Sequence, residues 1–101
     1  MFTEFMDMHS GGSQKESVGY IYIEAPQSEA VVIFFNKFGH SPFRVTCTCC
    51  GEDYSMTEYS TVENAYMAEE KVNDRLVIHA ADIKPEWRVG EVPMQGYVWQ
   101  D

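Results

Sequence analysis

The chain has no uninterrupted apolar run near the roughly 18 residues that a membrane span requires. Its first eight residues carry Glu4 and Asp7 and no base, which argues against a secretory or transit leader. Basic residues are scarce: 7 Lys and Arg stand against 16 Asp and Glu, for a formal net charge of −9. The deficit deepens along the chain, from −2 over residues 1–50 to −7 over residues 51–101. Direct nucleic-acid binding is therefore not expected, since phosphates recruit Lys and Arg and repel carboxylates. Basic surfaces, including the nucleic-acid grooves of other proteins, are the complementary partners, and plain solubilisation is the alternative use of the charge. Proline numbers only 4, and neither a second Cys-x-x-Cys pair nor the Gly-Lys-Ser/Thr ending of a P-loop occurs.

What is present is an ordinary globular composition, 45% hydrophobic and 14% aromatic, in 101 residues. One domain with one core follows. Residues 1–17 contain His9-Ser10-Gly11-Gly12-Ser13 and read as a flexible arm or loop. Tyr20 to Glu24 alternates aromatic and β-branched residues, a strand with Ile21 and Ile23 facing the core. A helix follows, with Ser28 as the expected N-cap, Glu29 in the first turn, Lys37 in the last and Gly39 as the stop. Val31, Phe34, Phe35 and Phe38 form its apolar stripe.

Phe43 to Thr48 is a second β-rich segment, Cys49 to Asp53 a turn, and Tyr54 to Met56 a returning strand. Ser60-Thr61-Val62-Glu63 matches a capping box for a helix running to about Val72, and Leu76 to Ala80 closes the set as a strand. The fold class expected is α+β: a small sheet with two helices on one face, in an order compatible with a ferredoxin-like βαββαβ sandwich. Residues 82–101 form an irregular extension, with Tyr97-Val98-Trp99 as an added edge strand.

Cys47, Cys49 and Cys50 crowd into four positions. Their number and spacing do not suit a disulfide framework, and they imply thiols or thiolate ligands in a reducing compartment. Cys47 and Cys50, followed by Gly51, have the shape of half a zinc knuckle. A zinc site would take Cys47, Cys49 and Cys50, with His9 or else His40 or His79 as fourth ligand; the alternative is small thiols in a hairpin. Thioredoxin-like chemistry fits poorly, because Glu52 and Asp53 disfavour thiolates and no helix start follows. A Cys–His nucleophilic pair is formally available, but no spacing selects one, so no catalytic residue is assigned.

The acids Glu63, Glu69 and Glu70 lie along the expected second helix, as a partner-binding strip or as its solvated face. Trp87 and Trp99 are candidate contact aromatics, since binding hot spots favour tryptophan.

Several segments resemble a family of small bacteriophage proteins without an assigned activity. They are Asp7 to Gly12, Tyr20 to Pro26, Phe38 to His40 with Val45 to Ser55, and Gln95 to Trp99. The run Thr46-Cys47-Thr48-Cys49-Cys50-Gly51-Glu52-Asp53-Tyr54 is the most distinctive of these. The resemblance implies an accessory protein of the host bacterial cytoplasm. Its expected partner is a host protein, by class one in defence or DNA processing.

Overall fold

The structure, a computed structural model, describes residues 1–47, 49, 51–65, 70 and 72–92. It is an α+β fold built on a four-stranded mixed sheet. The strands are β1 (Phe2–Asp7), β2 (Tyr20–Ile23), β3 (Tyr54–Tyr59) and β4 (Arg75–Ile78), in spatial order β3-β1-β2-β4. β1 pairs antiparallel with β2 and with β3, while β2 pairs parallel with β4. One α-helix, α1 (Gln27–Phe38), lies on one face, and short 3-10 turns occupy 62–64, 72–74, 80–82 and 85–88. No helix among the described residues is long and apolar enough to cross a membrane.

The first strand corrects the expectation of an N-terminal arm. Phe2, Thr3 and Phe5 are buried in β1, and the acids that disguised it have been given partners. Glu4 is buried and accepts the Tyr22 hydroxyl proton at 2.7 Å. Asp7 accepts two backbone N–H bonds. Paired in this way, a carboxylate can sit inside a strand that composition alone makes look polar.

The described residues 43–47 join no strand of the sheet, again contrary to expectation. Two of their backbone donors go to side chains: the Thr46 N–H to the Asp53 carboxylate at 2.8 Å, and the Cys47 N–H to Ser10 Oγ at 3.1 Å. Among the described residues, what is left of the hairpin is the isolated bridge from Cys47 to Gly51 and, one step outward, the bond from the Asp53 N–H to the Arg44 carbonyl. The second expected helix begins as a 3-10 turn at Val62–Asn64 without a capping bond from a side chain, and Ser60 instead accepts from Asn64 Nδ2. Residues 66–69 and 71, on which the rest of that helix would fall, lie outside the described residues, as does the expected strand at 97–99.

α1 runs where the 3.6-residue stripe places it, and Gly39 ends it in the left-handed region (φ 81°) with its N–H bonded to the Phe35 carbonyl. Its start differs from expectation. Pro26 is the N-cap residue, Ser28 is already helical, and no neighbouring side chain caps the turn. The Gln27 N–H is instead met by Glu58 Oε2 from β3 at 2.6 Å. A carboxylate at that place also suits the positive end of the helix dipole.

Ala30, Val31, Ile33 and Phe34 of α1 pack on Phe5, Ile21, Ile23, Tyr54 and Ile78. Phe34 sits at the centre, with the rings of Phe5, Phe38 and Tyr54 4.7–5.0 Å away. A smaller second layer covers the opposite face, where Phe2 and Tyr22 meet Val62 and Ala65.

Candidate functional site

Two stretches that the sequence sets far apart, 7–15 and 44–53, are knotted together beyond the end of β1. Asp7 closes the first loop, its Oδ1 accepting from the His9 N–H and its Oδ2 from the Lys15 N–H, each at 2.7 Å. His9 takes a left-handed conformation (φ 56°), unusual for a residue with a side chain, and Gly11 and Gly12 continue the turn at φ 77° and 84°. Lys15 Nζ then donates to the carbonyls of Ser10 and Ser13.

Ser10 is the joint. Fully buried, its hydroxyl accepts the Cys47 N–H and donates to the Gly51 carbonyl at 3.0 Å, clasping both ends of the cysteine loop. Glycine suits position 11 beside it, because a Cβ there would lie a tight 3.2 Å from Thr46 Cγ2 on a backbone at φ 77°. From the other side, Asp53, 1% exposed, accepts the Thr46 N–H at Oδ1 and the Thr46 hydroxyl proton at Oδ2. Gly51 turns the loop at φ 91°, and its N–H returns to the Cys47 carbonyl. The outcome is a tight, pinned loop that displays Cys49 to solvent, with the Sγ atoms of Cys47 and Cys49 3.1 Å apart.

The predicted metal ligands are brought together only in part. Cys47 and Cys49 are adjacent, while Cys50 lies outside the described residues. Among the described residues no three His, Cys, Asp or Glu side chains are placed to hold a metal ion, so His9 does not join the two thiols. His40 and His79 are elsewhere. His40 Nε2 pairs with Glu16 at 2.8 Å and packs edge-on against Phe34, whereas His79 lies 3.7 Å from Glu24 and edge-on to Phe2.

Of the predicted partner residues, Glu63 and Glu70 are exposed, and Glu69 and Trp99 lie outside the described residues. Trp87 is half engaged by its own chain. It packs against the α1 side of the core, its carbonyl accepts from Asn36 Nδ2, and the ammonium groups of Lys37 and Lys84 stand 4.9 and 5.4 Å from its ring. These cation–π contacts bring two of the scarce bases to one tryptophan.

Two buried tyrosines complete the electrostatics. Burial, and then the bond to Glu4, push the Tyr22 hydroxyl well above its ordinary value. Burial likewise raises Tyr54, helped by the negative charges of Asp7, Glu16 and Asp53. Sequence reading missed Asp7, Ser10, Asp53 and Glu58. The available signal was local: Asp and Ser within turn-rich stretches bind nearby backbone amides by preference.

No family model matches the chain, and neither do any curated protein or solved structure.

Proposed function

We propose that this is a binding protein without catalytic activity, whose partner presents a basic surface. One observation carries the reading. Exposed Glu52, Glu58, Glu63, Glu70, Asp82, Glu86 and Glu91 have no ion-pair partner among the described residues, where only Glu29 of the exposed acids faces an arginine. A surface field of one sign speeds association with an oppositely charged partner and repels nucleic acid. Together with the resemblance to bacteriophage proteins, it supports a host protein as the partner and the bacterial cytoplasm as the place of action, with inhibition of a defence or DNA-processing protein as the consequence.

The test is capture of a host protein by the immobilised chain, followed by calorimetry on the purified pair across ionic strength. The expected result is one specific partner whose affinity falls with salt and falls again in a Glu63→Lys, Glu70→Lys variant. Recovery of no specific partner, or an affinity indifferent to salt, refutes the reading.

A second reading has its own observation, the 3.1 Å approach of the Cys47 and Cys49 thiols. Two adjacent thiols suit a soft metal such as zinc, which would lock the loop that Ser10 already clasps. Elemental analysis of the purified protein, with thiols counted before and after denaturation, decides it. One metal per chain with protected thiols supports the reading, and metal-free, reactive thiols end it.

A further inference from the structure

The outer edge of the sheet at β3 is unusually well prepared for one more strand. The bond from the Met8 N–H to the Asp53 carbonyl, 2.9 Å, sets the phase of the β1–β3 ladder. With Asp7 opposite Tyr54, that bond makes them a non-hydrogen-bonded pair, so Ser55 and Thr57 exchange backbone bonds with Met6 and Glu4. The N–H and C=O groups of Tyr54, Met56 and Glu58 therefore point away from the sheet, and no described residue meets them. Among the described residues little blunts this edge: β3 holds no proline or lysine, and its one charge, Glu58, is exposed and engaged at the start of α1.

Beside it lies a cleft of about 510 Å³, lined by Met8, Phe43 and Met56 together with Gln27, Glu52 and Tyr54. Met8 is 48% exposed, an apolar side chain standing at the mouth without a cover. The two acids that flank the edge, Glu52 and Glu58, are exposed. Side chains of a strand added here would share the α1 side with Tyr54, Met56 and Glu58 at every second position.

From these features we infer that β3 receives an extended segment of a partner protein by strand addition. The segment carries an apolar residue that enters the cleft beside Met56, and Lys or Arg two positions away that meets Glu58 or Glu52. Backbone pairing supplies affinity in this mode and alternate side chains supply selectivity. A second copy of the chain is the poorer occupant, because edge-to-edge pairing would join two chains of charge −9 along their acid-flanked edges. The inference rests on the protein-binding reading and specifies its partner.

It is tested with blocked heptapeptides of the form Ser-Lys-Thr-X-Thr-Lys-Ser, X being Val, Leu, Met or Phe, added to the isotopically labelled chain. The symmetric placement of Lys lets the peptide bind in either direction. Expected are amide shifts and exchange protection at residues 54, 56 and 58 and not along β4. N-methylation of one alternating set of peptide amides should weaken binding about tenfold or more, and methylation of the other set should leave it. Glu52→Lys, which removes no hydrogen bond or ion pair among the described residues, should weaken binding several-fold at low salt and much less at high salt. Binding that maps to another acidic surface, or that ignores N-methylation, overturns strand addition while leaving the protein-binding reading intact. Failure of all four peptides, or a concentration-dependent dimer that protects β3 without peptide, overturns it as well. Only the capture experiment above, failing separately, removes the broader reading.

Discussion

Replacing Ser10 by Ala should show whether the two loops form one unit. The side chain is fully buried, and its hydroxyl serves both the Cys47 N–H (3.1 Å) and the Gly51 carbonyl (3.0 Å). Alanine removes one oxygen and leaves two backbone groups facing a methyl group. A buried polar group stripped of its partner costs about 1–3 kcal/mol. The Gly51 N–H keeps its bond to the Cys47 carbonyl, and partial opening of the loop lets water reach the orphaned groups, so the total should fall near 2 kcal/mol rather than at twice the single cost. For a domain of this size that corresponds to a midpoint lowered by roughly 8–16 °C. Urea unfolding followed by Trp fluorescence reads the stability, and the alkylation rate of Cys47 under native conditions reads the loop. Both should move together: lower stability and a faster-reacting Cys47. A loss below about 0.5 kcal/mol with unchanged thiol reactivity would refute the clasp, placing Ser10 among ordinary surface-like substitutions.

The two buried tyrosines should respond oppositely to loss of their hydroxyls. Tyr22→Phe leaves the Glu4 carboxylate without its donor and should destabilise by about 1–3 kcal/mol. Tyr54→Phe removes a hydroxyl with no hydrogen-bond partner among the described residues and should be neutral or stabilising in the same urea titration. Both hydroxyls have raised values in the folded state, so the folded chain holds its protons more tightly than the unfolded one. Their contribution is complete below the ordinary tyrosine value near 10 and is lost as pH rises beyond it, so stability should fall steeply above about pH 10. The double Phe variant should show a shallower fall. Gly19→Ala should destabilise and loosen β4, because its Cβ would lie 2.7 Å from Asp74 Oδ2, the carboxylate that binds the Gly19 N–H. Heteronuclear spectra should show that loss concentrated in residues 75–78.

Much of the helix-side core was legible because it obeys simple periods. Val31, Phe34 and Phe38 of the α1 stripe and the inward Ile21 and Ile23 of β2 pack as their spacing requires, and Gly39 stops the helix, whereas Phe35 of the stripe stays outside the core cluster and Ile33, off the stripe, is fully buried. β1 was illegible for a physical reason. Its Glu4 and Asp7 accept hydrogen bonds from groups outside the strand, Tyr22 for one and the loop amides of His9 and Lys15 for the other. Residues 43–47 misled in the reverse direction: they are strand-forming, but Asp53 and Ser10 took the N–H donors of Thr46 and Cys47. The start of α1 misled similarly, since Ser28 had the right chemistry while Glu58, from a distant strand, had the position. As for the candidate site, the cysteines announced themselves by spacing. The serine and aspartates that hold their loop did not, being common residues whose role appears only once the two loops meet.

The parallel pairing of β2 with β4 has a consequence for how the chain comes to be folded. Three strands and α1 lie within residues 2–59, so a nascent chain can assemble them before β4 has been made. Until then Ile21 and Ile23 stand at a raw border of the sheet, with a hydrophobic strand edge open to any other β-prone segment nearby. Closing that border joins Gly19 to Asp74 across 55 positions, a contact that local structure cannot hasten. Pairing with β4 thus covers the β2 border and leaves β3 and β4 as the two edges of the sheet. A chain interrupted near residue 65 would lack β4 and would leave the backbone of β2, between Tyr20 and Ile23, unpaired on that side.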